Sequence, residues 1–484
     1  MFFLKKYKTQ GTWVALLVGL LALSISSCDF LDPTGVRNPQ TTDKSLEEGA
    51  TGATGPFLNG VKERYSDAIE DIAYFTDVVS DNYDNVATFI SPAADLPRTI
   101  GPQDLTLNGT AGPYFEVQEL RALASFVLET VIPNDPEATP EDQAEALFYR
   151  GMGNVLSAEN YGGVPIVADG PVIPQAQLLQ LAIDDFNTAL ATSQHSDFPT
   201  RIQIVRARAH RLLGNATQAA QEATAALAGN SQFTFTAKYD AAFNENAGFT
   251  FAVSRNLNDM QPLPRLDFLD PKYTLRDTPI NSVKIEEAHL ILAEVALSQG
   301  NPAQAKQHMI NVINLANARP RVSFLDRDPR PNNQTGTFRP QGGTVQASAT
   351  APAIDGLILP RGGTLASVPT VSGTHLTAAD INAIADTNPV ELLRTLYLLR
   401  QEIFFFEGRR MCDLVIRLPM MEIEIQTNDV INAGDAGTVA VVPNHIPAND
   451  DLDDFTFDGN NTVIANDMNQ VIADNRLSPF TMPF

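Results

Sequence analysis

The chain has 484 residues, 44% of them hydrophobic, with 57 acidic against 33 basic side chains and a formal net charge of −24. That length is ample for one large core or two ordinary ones, and that charge excludes a nucleic-acid surface, whose phosphates it would repel. Two cysteines, Cys28 and Cys412, exclude a disulfide-built scaffold.

The N-terminal segment reads as an export signal. Lys5, Lys6 and Lys8 precede an almost uncharged apolar run over 11–25, shorter than the ~20 residues a bilayer crossing needs. The run closes on Ile25-Ser26-Ser27-Cys28: a branched residue, two small ones and a cysteine, similar to a bacterial lipobox. The expectation is a lipoprotein signal peptide over 1–27, with Cys28 as the lipid attachment and the membrane as a partner through that anchor. Stable anchoring takes more than one acyl chain. Loss of the three lysines would move the net charge to −27 and leave Cys412 as a lone thiol. Residues 28–44 are rich in turn formers and serve as a tether.

Beyond the tether, helical periodicity dominates the chain. Between Ser45 and Tyr83, apolar residues including Val61, Tyr65, Ile69, Ile72, Phe75 and Val79 recur at three-to-four spacing. Helices are predicted at 113–131 and at 140–160, the latter with Thr139 as N-cap and Pro140 in the first helical position. Further helices are predicted at 174–193, 199–213, 216–228, 281–299 and 302–317. Two stretches, FTFTAKY (233–239) and FTFAVSR (249–255), alternate like short strands. Residues 328–376 are rich in Gly, Pro, Thr and Ser and too long for a plain connection; a disordered insert and a loop-rich subdomain both fit.

One repeat stands out. LGNATQAAQ (213–221) and QGNPAQAKQ (299–307) share Gly-Asn, Gln-Ala and a closing Gln at an offset of 86, with Ala207 and Ala293 in equivalent places upstream. Helix, tight Gly-Asn turn and second helix is the tetratricopeptide pattern, here dispersed rather than in a tandem array.

Chemistry is harder to find. The sequence has no nucleophile elbow, phosphate-cradling loop or H-E-x-x-H motif, and neither an enzyme nor a cofactor is expected. Glu286 and His289 stand at i, i+3, but a di-metal bundle needs two such pairs, so His289 reads as a packed or capping residue. Asp450, Asp451, Asp453, Asp454 and Asp458 crowd together without EF-hand spacing, which favours a solvated acidic loop. No metal is expected. In AYFTDVVSDNYDN (73–85), Tyr74 and Tyr83 stand beside Asp81 and Asn82, flat apolar faces next to bidentate polar groups. These four are the candidate ligand-binding residues for a sugar or polyol; a helix end capped by Asp81 and Asn82 is the competing reading.

Several segments in order carry a resemblance. The lipobox followed by DFLD, the run ALFYRGMGNVLSAENYGGVPIV (146–167), the helix-turn-helix units and RQEIFFFEGRRMCDL (400–414) together resemble the SusD/RagB family. Arg400, Glu402, Phe406, Glu407, Gly408, Arg410, Asp413 and Leu414 match its C-terminal pattern, and Tyr161, Gly162, Val164 and Pro165 match its Y-G-x-V-P element. The resemblance implies a mainly α SusD-like fold, with dispersed tetratricopeptide-type helix pairs, few short strands and a loop-rich part, as a single domain over 45–484. In this reading the phenylalanine run is a core seam: one helix presents Ile403, Phe404 and Phe406, Arg409 pairs with Asp413, Glu407 pairs with Arg410, and Cys412 is a small buried hydrophobe.

The function the resemblance implies is binding. Such a protein is an outer-membrane lipoprotein facing the cell exterior, a lid on a SusC-like TonB-dependent transporter, to which it delivers an oligosaccharide or other nutrient. A scaffold lipoprotein that binds only protein partners is the alternative.

Overall fold

The computed structural model describes residues 51–84, 92–104, 107, 112–253, 260–326, 340, 342–360, 363–447 and 452–478. The signal segment, Cys28, the tether, Asp450, Asp451 and part of the 328–376 stretch lie outside the described residues.

The first long helix, α1 (Thr54–Val79), starts later than its apolar pattern but buries the expected stripe: Val61, Tyr65, Ile69, Ile72, Phe75 and Val79. Its N-terminal amides are satisfied from a distance, because the Asp135 carboxylate accepts from the backbone N–H of Gly52 at 2.9 Å and of Thr54 at 2.8 Å. Helix α2 (Pro113–Phe126) runs through a wide turn at Val127–Val131. Helix α3 (Pro140–Asn160) opens on Thr139, whose side chain accepts from Asp142 N–H while the Asp142 carboxylate accepts from Thr139 N–H, a reciprocal cap.

Three sequential pairs form by packing: α3 with α4 (Gln175–Thr192), α5 (Phe198–Leu212) with α6 (Ala216–Ala228), and α7 (Glu286–Ser298) with α8 (Pro302–Ala318). The last two are the repeated units. Gly214 and Gly300 take the left-handed conformation, at φ 74° and 69°, which an unbranched backbone adopts most cheaply. The Asn215 N–H then reaches His210 O at 2.9 Å, and Asn301 N–H reaches Ala296 O at 2.8 Å. Ala207 and Ala219 in one unit, and Ala293 and Ala305 in the other, are fully buried at the crossing. The units are dispersed in sequence but stack in space, since α6 packs directly on α7.

Two sequence expectations fail between these units. The described part of FTFAVSR is not a strand: Gly248–Val253 is a wide helical turn, entered through Asn246, whose side-chain oxygen accepts from Phe249 N–H at 3.2 Å. The helix expected from 281 begins only at Glu286, because Ile280–Lys284 is a strand paired antiparallel with Thr234–Ala237, Phe235 opposite Val283. That strand is buried throughout, and a short apolar run buried on both faces cannot be told from helix by periodicity.

The described parts of the 328–376 stretch are mostly turns and bends, with two short strands. Thr364–Pro369 pairs antiparallel with Arg321–Asp326, and Thr344–Gln346 runs parallel to Asn461–Ile464, which also pairs with Phe455–Phe457. Helix α9 (Pro389–Ile403) closes a satellite core against α7 and α8, through Leu396, Leu399, Ile403, Phe404, Leu290 and Met309.

Candidate functional site

Every residue of the RQEIFFFEGRRMCDL stretch is buried. Helix α9 stops at Ile403, so the expected single helix through 414 is absent, and a turn over 404–408 takes its place. Phe406 and Gly408 both have positive φ, 54° and 69°. The Phe406 N–H donates to Asp77 Oδ2 on α1 at 2.8 Å, and a Cβ at Gly408 would meet Ile72 Cγ2 at 2.7 Å. Phe404, Phe405 and Phe406 are all buried, Phe405 stacked on Tyr83 at 5.2 Å and Phe406 edge-on to Tyr83 and Tyr273. The seam is core, as expected, but it is built by a strained turn.

Apart from Arg400 with Asp413, the charges of this stretch pair with distant elements. Asp413 receives Arg400 through two bonds of 2.8 Å and Arg211 at 3.2 Å. Arg409 goes to Glu159 at 3.1 Å, and Glu407 takes the ammonium groups of Lys272 and Lys284. Arg410 binds Asp81 through bonds of 2.5 and 2.7 Å. The expected Arg409–Asp413 and Glu407–Arg410 pairs therefore fail: helix resumes over Arg410–Asp413, but Arg409 and Asp413 are taken by Glu159, Arg400 and Arg211, and Glu407 lies in the turn before it. Buried ions need several good partners, and these come from the turn after α1 (Asp81), α3 (Glu159), α5 (Arg211), α9 (Arg400), Lys272 and the strand before α7 (Lys284). Burial opposes the charge on Asp413, but Arg400 and Arg211 reverse it and hold that carboxyl below its ordinary value. Burial pushes Lys284 down to about 8 despite Glu407.

The four candidate ligand residues lie on the other side of this same seam. Asp81 and Asn82 are fully buried, Tyr83 is 1% exposed and Tyr74 8%. Besides Arg410, Asp81 accepts from Gln401 Nε2 at 3.0 Å, which also donates to Asn82 Oδ1 at 3.0 Å. The Tyr83 hydroxyl donates to Asp270 at 3.0 Å. The flat polar face expected of Tyr74, Asp81, Asn82 and Tyr83 is turned inward in this structure, committed to partners up to 329 residues away. No local signal announces such partners.

Cys412 is a buried free thiol, with burial raising its pKa. Glu286 does not share a ligand site with His289: its carboxylate is held by Arg319 at 2.8 Å and by Ser372. Asp458 closes a turn by accepting from the N–H groups of Asn460 and Asn461. Among the described residues no group of three or more His, Cys, Asp or Glu is placed to hold a metal ion, and no helix is long and apolar enough to cross a membrane.

An open site lies elsewhere. Phe243 is 95% exposed and borders a depression of about 300 Å³ lined by Ala241, Ala242, Phe243, Glu245 and Arg276. The loop is pinned rather than loose. Asp240 N–H donates to Asn244 O at 2.8 Å, and its carboxylate accepts from the N–H groups of Ala242 and Phe243 at 2.8 Å. Asn244 Nδ2 reaches Asp67 at 2.7 Å, and Glu245 pairs with Arg276. Sequence reasoning missed it; the available signal was a phenylalanine among turn-forming Asp and Asn in YDAAFNEN (239–246).

Helix pairs stacked into a layer, with short strands around a buried charged seam, define a mainly α protein of helix-pair architecture. Among solved structures, a SusD-like protein from Bacteroides fragilis aligns with TM-score 0.52 at 11% identity, covering 81% of this chain and 99% of its own. NanU of B. fragilis aligns at 0.51 and 11% identity over 84% and 96%, and a SusD superfamily protein from B. fragilis at 0.51 and 13% over 79% and 99%. The chain has the SusD-like fold. No protein-family model and no curated protein matches the sequence.

Proposed function

We propose that the chain is a non-catalytic nutrient-binding lipoprotein of the SusD/RagB family, anchored in the outer membrane through Cys28 and facing the cell exterior. It binds a neutral, hydroxyl-rich nutrient, an oligosaccharide first among them, and passes it to a SusC-like TonB-dependent transporter. The observation that carries this reading is the SusD-like fold, aligned over 81% of this chain and 99% of its B. fragilis neighbour. The lipobox ending at Cys28 and the net charge of −24 agree with it, the charge disfavouring anionic polysaccharides.

The surface that suits such a ligand is the Phe243 depression. A sugar ring offers an apolar face for the exposed phenyl ring, while Glu245 and Arg276 take neighbouring hydroxyls as acceptor and donor. Affinity is modest, because an open depression with one aromatic buries little ligand area. Calorimetry of the purified full chain against a panel of neutral and anionic oligosaccharides and peptides tests this. The expected result is heat from a neutral sugar, lost in Phe243→Ala while the melting temperature is unchanged. Binding of peptides with no response to any neutral sugar overturns the glycan reading, and sugar binding indifferent to Phe243→Ala moves the site.

A further inference from the structure

Helices α7 and α8 meet through two imidazoles. His289 and His308 are half-buried on facing sides of the pair, their Nδ1 atoms 3.1 Å apart and their ring centroids 5.4 Å apart. At that distance one ring donates its Nδ1–H and the other accepts through a lone pair. Burial lowers both pKa values, and for His289, pushed down to about 4, the neighbouring His308 adds to the effect. Both rings are neutral at pH 7.

The helix crossing does not require this pair. The 86-residue offset places Gln203 and Glu222 at the corresponding positions of the first unit, where Glu222 pairs with Arg206 at 2.5 Å. That unit closes without imidazoles.

We propose that His289 and His308 form a two-imidazole site for a late first-row divalent ion (Ni²⁺, Cu²⁺ or Zn²⁺), held between the facing Nδ1 atoms with water completing the coordination. Metal–imidazole bonds of about 2.0–2.1 Å across the 3.1 Å gap set an N–metal–N angle of about 98°. That lies between the right angle of tetragonal sites and the tetrahedral angle, so the 3.1 Å spacing matches a shared ion. The ion replaces the shared hydrogen, which transfers through solvent to Nε2 of the same ring. Both rings end as neutral Nε2–H tautomers, with no net proton released. Imidazole selects late transition ions, whereas the abundant carboxylates of this chain suit Mg²⁺ and Ca²⁺.

The test is titration of the chelator-stripped full chain with Ni²⁺ and with Cu²⁺. One equivalent should bind and raise the melting temperature, and the Cu²⁺ adduct should show two imidazole nitrogens by electron paramagnetic resonance. In the His289→Gln/His308→Gln double variant, both the rise and the two-nitrogen signature should disappear. Absence of stoichiometric binding, a copper signal without imidazole nitrogen, or an undiminished response in the double variant overturns the proposal. The resonance signature is read on the wild-type chain, so the proposal stays testable even if the variant folds poorly.

Discussion

Phe406 combines a φ of 54° with 1% exposure, so backbone strain and full burial meet in one residue of the seam. Truncation to alanine keeps the strain and loses the packing, and Phe406→Ala should cost about 3–5 kcal/mol in chemical denaturation. An unchanged denaturation midpoint would mean that the ring is not core. Asp77, the acceptor of the Phe406 N–H, contributes a pH dependence to the seam. Burial pushes its carboxyl up to about 7, against ~3.9 for a free aspartate. The folded state thus holds a proton that the unfolded chain releases, so this contribution to stability is full below pH ~4 and lost as pH rises through 7. Asp413 works in the opposite sense: held low by its two arginines, it contributes above pH ~4 and loses that contribution as pH falls. Asp77→Asn should therefore gain melting temperature relative to wild type between pH 5 and pH 8; a constant difference across that range contradicts the assignment. At this scale the sequence was legible in part. That the phenylalanines are core was readable from their run, but the partners of Asp81 and Arg410 were not, since a buried ion pair across 329 residues leaves no local pattern.

Glycine separates two kinds of turn among the elements. At Gly300, between α7 and α8, φ is 69° and nothing lies within 4 Å of a Cβ, so Gly300→Ala should cost only the left-handed penalty of roughly 1–2 kcal/mol. At Gly408 the φ is the same, but the Cβ meets Ile72 on α1, and Gly408→Ala should cost clearly more. Denaturant midpoints of the two variants check the order, and equal losses would contradict the packing of the 404–408 turn on α1. The elements legible in advance were those with their own signals: the Thr139 N-cap followed by Pro140, and the Gly-Asn turns that close the repeated units. The turn at 404–408 was not legible, because Arg400 to Leu414 keeps helix-compatible spacing apart from Gly408, and the turn's contacts with Asp77 and Ile72 are long-range. The strand at Ile280–Lys284 was lost for a related reason, its complete burial hiding the two-residue period.

For the whole molecule, the repeated helix pairs and the C-terminal pattern together made the SusD-like fold legible, while the candidate binding face was read onto residues that the fold turns inward. Long-range packing decides which of two polar-aromatic segments faces solvent, and here it is the loop bearing Phe243 rather than the segment 74–83. The proposed anchor makes its own prediction: without the Cys28 sulfur no thioether to diacylglycerol could form, so Cys28→Ser should leave the membrane fraction or accumulate unprocessed, and wild-type membrane retention would contradict the lipoprotein reading. The most direct test of the central claim is recovery of the tagged chain from detergent-solubilised membranes of its native cells, with its partners identified by mass spectrometry. Co-purification of a large TonB-dependent outer-membrane receptor in near-equal amount is the predicted result. Recovery alone, or only with soluble or assembly proteins, would contradict a role in nutrient uptake.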